Sequence, residues 1–141
     1  MATVVNKFGK IAGWNSVTVN LLGRDVEGIT EVYYSDKKDK ENAYGKGDMP
    51  IGRGSGNYEA KASITLFLEE ETAIQKSLPR GKRLTDIAPF DVLVEYEYDG
   101  YMYRDRIRNC EFTGRSVAVK QGDKKIANKH ELIVSHIDWN I

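Results

Sequence analysis

The sequence predicts a mainly β domain, a β-sandwich or partly closed β-barrel of six to seven strands with one flanking α-helix and a long inter-strand loop. Three observations carry this prediction. Apolar and polar residues alternate along most of the 141-residue chain. Turn signals such as Asp99-Gly100 separate the alternating runs. One stretch alone, ending at Pro79, has helical character.

Ser16–Leu22 opens the pattern, with Val17, Val19 and Leu21 on one face and Thr18 and Asn20 on the other. Gly23-Arg24-Asp25 reads as a turn or bulge, and Val26–Tyr34 as a second strand weakened by Gly28. Tyr58–Leu68 places Tyr58, Ala60, Ala62, Ile64, Leu66 and Leu68 on one face. At about 3.3 Å per residue it is long for a strand, some 35 Å. Glu69–Leu78 is the helix: Glu69, Glu70 and Glu71 open it, Lys76 lies near its end, and Ile74 and Leu78 share a face. Arg80–Pro89 is a connector. Phe90–Tyr98 and Tyr101–Asn109 form a hairpin about Asp99-Gly100, and Glu111–Val119 and Lys129–Trp139 complete the strands, with a turn around Gln121–Lys124.

Residues 35–57 interrupt this pattern with SDKKDKENAYGKGDMPIGRGSGN. Compact domains seldom hold structureless loops beyond roughly 12–15 residues unless these are functional or disordered. A solvated tether has no need of Tyr44, Met49 and Ile51. The expectation is an assembly loop that folds against a partner, with Lys37, Lys38, Asp39 and Arg53 as its charged contacts.

Composition narrows the function. The length suits one domain spanning residues 1–141. The 21 basic and 21 acidic side chains cancel, which argues against a dedicated nucleic-acid binder. The single cysteine, Cys110, allows no intrachain disulfide and fits synthesis in a reducing compartment. No signal-peptide pattern and no apolar run near the roughly 20 residues of a membrane span are visible, so the expectation is a cytoplasmic product with no membrane association.

No residue set argues for catalysis, and neither a metal nor a cofactor is expected. Gly52–Gly56 lacks the Gly-Lys-Ser/Thr ending of a phosphate loop and precedes a strand rather than a helix. His130 and His136, six apart on one predicted strand, stand too far apart to share a metal. They read as ordinary polar side chains on a sheet. Cys110 lacks an activating neighbour and reads as a structural thiol. Glu69–Glu71 are explained by the helix dipole. Arg104, Arg106 and Arg108 share one strand face, opposite Tyr101, Tyr103 and Ile107, and are expected to pair across the hairpin with Glu95 and Glu97.

In their order along the chain these features resemble the tail tube proteins of contractile-tailed phages and related injection machines. The resemblance runs through Leu22-Gly23-Arg24-Asp25-Val26-Glu27-Gly28, the long polar loop, and Gly54-Ser55-Gly56-Asn57-Tyr58-Glu59-Ala60-Lys61-Ala62-Ser63-Ile64-Thr65-Leu66. It continues through the single helix, Arg106-Ile107-Arg108-Asn109-Cys110-Glu111-Phe112, and the final run Glu131–Trp139. These are pattern matches rather than a catalytic signature.

The resemblance implies a non-enzymatic structural subunit. Six copies would form a ring, and stacked rings a tube whose lumen DNA passes without specific binding. A sheath protein and a tail initiator or baseplate would be its partners. The virion tail, assembled in the cytoplasm of a bacterial host, would be its location. Residues 35–57 would contact the stacked ring, and the N-terminal arm, residues 1–14 with Phe8, Ile11 and Trp14, would contact neighbours. Glu59, Glu95 and Glu97 are candidate lumen-wall residues, and the arginine row fits such a wall poorly. Two other readings stand beside this one: the inner tube of a non-phage contractile injection or secretion system, and a small β-barrel module binding nucleic acid or carbohydrate.

Overall fold

A computed structural model describes residues 13–98 and 100–141. Phe8 and Ile11 of the expected arm, and Asp99 of the expected turn, lie outside the described residues. Among the described residues there are eight strands and one α-helix. The strands are β1 (Val17–Leu21), β2 (Arg24–Val26), β3 (Ile29–Tyr44), β4 (Pro50–Phe67), β5 (Phe90–Tyr98), β6 (Tyr101–Phe112), β7 (Ala127–Ile133) and β8 (His136–Asp138). Helix α1 is Leu68–Lys76.

All pairings are antiparallel, in the order β2-β1-β5-β6-β7-β4-β3, and β8 pairs with β6 beside this path. The sheet does not close, because β2 and β3 end the order without pairing to each other. It folds over at β6. The first part of that strand pairs with β5, and its end, Glu111 and Phe112, pairs with β7. Asn109 makes the bend, with a left-handed φ of 57° that asparagine tolerates better than most residues. Its N–H donates to Asp91 Oδ1 at 3.0 Å, where a register shift interrupts the β5–β6 ladder.

One core results from both halves. Val19, Leu21, Val92, Val94 and Ile107 meet Ala62, Ile64, Leu66, Phe112 and Leu132, all buried. The alternation in β1, in β5 and in the inner half of β4 therefore does place one face in the core. Helix α1 keeps its acidic first turn and Lys76 in its last turn, and buries Ile74 together with Glu71.

Four expectations require correction. Val26–Tyr34 is not one strand after a turn at Gly23-Arg24-Asp25: Arg24, Asp25 and Val26 pair with β1 as β2, and β3 begins at Ile29. The segment expected as a structureless loop is strand: β3 and β4 continue into it, and only residues 45–49 lie outside them. The strand expected over Glu111–Val119 stops at Phe112, and residues 113–120 form no regular element. Lys129–Trp139 is two strands rather than one. The chain breaks at Val134-Ser135, where the Ser135 N–H donates to the Arg108 carbonyl at 3.1 Å and moves the chain from β4 to β6.

Candidate assembly surface

The β3–β4 hairpin outgrows the body. β7 covers β4 only from Lys61 to Phe67, so residues 50–60 have β3 as their one strand neighbour. Residues 36–44 likewise pair with β4 alone. The result is a two-stranded ribbon with both edges free. Such ribbons are marginal in water by themselves, and free edges invite pairing with another chain. A bulge between Lys38 and Lys40 and a shift between Ala43 and Tyr44 adjust its register. Gly47 turns the tip at φ 123°, a conformation that favours glycine.

Several side chains hold the ribbon. Lys37 Nζ lies 3.6 Å from Glu59 Oε2, Arg53 Nε donates to Asn42 Oδ1 at 3.0 Å, and the Tyr58 hydroxyl donates to Asp36 Oδ2 at 2.7 Å. Lys38 and Asp39 are exposed at the bulge. At the tip Tyr44, Met49 and Ile51 are 63%, 72% and 75% exposed. Water therefore meets the three apolar groups singled out in the sequence, as it would on a surface awaiting a partner.

The root of the ribbon is clamped by the C-terminal residues. Trp139 Nε1 donates to Asp36 Oδ2 at 2.9 Å, and the Ile137 N–H donates to the Tyr58 hydroxyl at 3.1 Å. The Tyr34 hydroxyl donates to Asp105 Oδ2 at 2.7 Å, and the Asn140 N–H donates to Asp105 Oδ1 at 2.9 Å. Bonds from Trp139 and then Tyr58 hold the Asp36 carboxyl below its ordinary range. Burial, then the bond to Asp105, raises the Tyr34 phenol. These contacts tie β3 and β4 to β8 and the residues after it, and β3 to β6. They join residues distant in sequence, and no spacing pattern marked them.

The outward face of β5 and β6 carries the arginines. Arg104 stands opposite Glu95 and pairs with it at 3.3 Å, as the hairpin register predicts. Glu97 stands opposite Met102, so the second expected pair does not form. Arg108 bonds Asp138 Oδ2 at 2.7 Å and Asp91 Oδ2 at 3.1 Å, which raises its own pKa and lowers that of Asp138. Two of the three arginines thus have carboxylate partners, and the row presents less free charge than the sequence suggests. Of the three candidate wall residues, Glu95 and Glu97 lie on β5 and Glu59 lies on the ribbon.

Local patterning did not mark a buried polar cluster. His130 is inward on β7 and 1% exposed, Glu71 is fully buried, and His130 Nε2 lies 3.0 Å from Glu71 Oε1. Arg115 Nε reaches Glu71 Oε2 at 3.4 Å, and its Nη1 donates to Gln75 Oε1 at 3.2 Å. His130 is therefore not an ordinary surface histidine, and Glu71 is not merely a helix-start charge. The alternation of Asn128, His130 and Leu132 was the available signal, since it puts all three on the inner face. His136, on β8 rather than on the same strand, lies near Asp138 at 3.7 Å. Cys110 is buried, and burial pushes its thiol up to about 12, consistent with a structural role. Among the described residues no group of three His, Cys, Asp or Glu side chains is placed to hold a metal ion, and no helix is long and apolar enough to cross a membrane.

No protein-family model matches the chain, and no curated protein matches it. Solved structures do. A chain of the anti-feeding prophage cap, described as the AFP tube terminating cap, superposes with a TM-score of 0.68 at 9% identity, over 97% of this chain and 94% of that one. A chain from the sheath-tube complex of an extracellular contractile injection system, PVC, in its extended state, gives 0.60 at 11% identity, over 95% of each chain. A chain of the anti-feeding prophage baseplate gives 0.56 at 8% identity, over 86% and 89%. The fold is shared with components of contractile injection systems, in agreement with the resemblance read from the sequence.

Proposed function

We propose that the chain is a structural, non-catalytic subunit of the tube of a phage tail or contractile injection system. Six copies form a ring, rings stack axially, and the lumen conducts cargo, DNA in the case of a phage. The observation that carries this reading is the projecting ribbon. Both its edges are unpaired and its tip exposes Tyr44, Met49 and Ile51, so it gains most of its burial from another chain. Its charged residues Lys37, Lys38, Asp39 and Arg53 then serve contacts between subunits. Trp14, half exposed at the start of the described residues, contacts a neighbour together with Phe8 and Ile11.

The fold likeness supports the same reading. It spans nearly the whole of each chain, and the matched assemblies are contractile injection systems, which favours an injection-system tube beside a sheath and baseplate over a phage tail. A lumen that moves DNA needs walls that do not hold it. The pairing of Arg104 with Glu95 and of Arg108 with two aspartates lets the β5–β6 face serve without a strong phosphate-binding field. Electron microscopy of the purified protein across a concentration series tests the proposal. Hollow rings or tubes with sixfold symmetry are expected. A monodisperse monomer at every concentration, confirmed by sedimentation, overturns it.

A further inference from the structure

Residues 113–125 are exposed and form no strand or helix, so they run over the body as a strap. Its ends are fixed by the backbone. The Thr113 hydroxyl donates to the Glu131 carbonyl at 3.1 Å, and the Leu68 N–H donates to the Ile126 carbonyl at 2.9 Å. Between them, Arg115 reaches in to Glu71 and Gln75, and the Ala118 N–H donates to the buried Asn128. The strap is therefore pinned to the same cluster that holds His130. Glu71 carries one negative charge there and faces two groups that can answer it. His130 Nε2 stands 3.0 Å from its Oε1, and Arg115 Nε stands 3.4 Å from its Oε2. Neither approach is aligned as a hydrogen bond, so the carboxylate is held by charge and not by directional bonds.

We propose that this cluster is a pH-sensitive latch, in which a proton taken up by His130 from solvent makes it the counter-ion of Glu71 and releases Arg115 with the strap. The inference does not depend on the tube-subunit reading. Arginine stays charged at every working pH, whereas imidazole is the side chain whose ordinary range lies between pH 5 and 8. With His130 neutral, the charges of Glu71 and Arg115 cancel. A proton on His130 leaves one positive charge in excess where both His130 and Glu71 have no exposure, and a buried unpaired charge is costly. One cation must then leave. His130 is fixed within β7 opposite Ile64 of β4, while the Arg115 side chain is already 27% exposed on an irregular segment.

The surroundings favour that exchange. β4 presents Ile64 to His130, and β6 presents the edge-on ring of Phe112 at 5.7 Å between centroids, so neither adds a charge. On β7 itself Lys129 and Glu131 point outward and pair with each other at 3.3 Å. Helix α1 contributes Glu71, while its Glu70 is turned to Arg24. Beside Arg115, a groove of about 290 Å³ is lined by Lys82, Arg83 and Gln75 among others, with no carboxylate among its described lining residues. Like charges thus meet a released Arg115 and turn it toward water. Coupling of this kind is reciprocal: if proton uptake expels Arg115, then Arg115 in place holds the proton off.

Hydrogen exchange of the full-length chain between pH 8 and pH 5, corrected for the intrinsic amide rate, tests the latch together with an NMR titration of the two imidazoles, His130 and His136. Protection of the Ala118 amide should fall at least about tenfold with the midpoint of the His130 titration, and His136→Gln should leave that midpoint in place. Arg115→Gln, which alters a partly exposed side chain, should leave the strap poorly protected at both ends of the range. By reciprocity it should also move the His130 midpoint upward by at least about 0.5 in pH. His130→Gln should keep the strap protected at pH 5, and if that variant does not fold, Arg115→Gln decides alone. A folded chain in which His130 takes no proton down to pH 5, or takes one while the strap stays protected, overturns the latch. An unchanged midpoint in Arg115→Gln, or a loss of protection that follows His136 or survives in folded His130→Gln, does the same.

Discussion

In β5, Val92 is 0% exposed and Val94 2%, whereas every residue from 37 to 59 is exposed. Both regions are antiparallel strand, yet one is held by a core and the other has none. The body is stabilised by apolar area removed from water, at roughly 25 cal/mol per Å². The ribbon has only its backbone ladder and a few cross-strand pairs, and exposed pairs such as Lys37–Glu59 contribute about 1 kcal/mol or less. What the contrast teaches is a division of labour: the body holds the buried area that decides whether the subunit folds, and the ribbon, which has none, is the part proposed to join it to others.

The most severe way to break the body is a charge in its core. Ile64 is 1% exposed between β3 and β7. Ile64→Asp buries an unpaired carboxylate, at a cost comparable with the about 5–15 kcal/mol of total stability of a typical domain. No cooperative unfolding transition should remain by circular dichroism. A soluble, cooperatively folding variant would remove Ile64 from the core.

The buried cluster comes next. His130→Leu leaves Glu71 without its nearest partner at zero exposure and should cost about 3–5 kcal/mol in denaturant unfolding. Adding Glu71→Leu should recover much of that loss, because the buried carboxylate, left with Arg115 alone at 3.4 Å, is then gone. If the double variant is as unstable as the single one, packing rather than charge explains the site.

A smaller effect is expected at the clamp, where body and ribbon meet. Bonds from Trp139 and Tyr58 depress the Asp36 carboxyl, so the contact is fully present above the ordinary aspartate value of about 3.9. It is lost as pH falls through the lower folded value. In a Trp14→Phe background, Trp139 emission should change at a pH below that of an ordinary aspartate, and Asp36→Asn should abolish the transition. Persistence of the transition in Asp36→Asn would assign it to another carboxylate.

The same division explains what the sequence could show. Alternation marks a strand only when one face is buried, so β1, β5 and the inner half of β4 were legible. The ribbon has two wet faces, and nothing selects apolar residues at every second position. Its glycines and charges therefore read as loop, although Tyr44, Met49 and Ile51 still marked its tip. Residues 113–119 failed in the opposite sense. Their mixed pattern read as strand, but Arg115 is drawn to Glu71, and the Ala118 N–H to Asn128 Oδ1 at 3.3 Å. Both are contacts between segments that local patterning does not register. The break at Val134-Ser135 was hidden for a similar reason, since a strand that changes partners keeps its side-chain period up to the switch.

The smallest expected change in stability has the largest expected consequence for assembly. Replacing residues 41–54 by an Asn-Gly turn joins Lys40 to Ser55, which are already paired across the ribbon, and spares Asp36, Tyr58 and the clamp. No buried residue is removed, so unfolding free energy should change by about 1 kcal/mol or less. Rings or tubes seen with the full chain should nevertheless be lost in electron microscopy, because Met49, Ile51 and the outer part of the free edges go with the segment. A trimmed chain that still stacks would show that the ribbon is not the joint, and a trimmed chain that unfolds would show that body and ribbon are one cooperative unit. A folded chain that no longer stacks is the outcome required if folding and joining are carried by separate parts of one sheet.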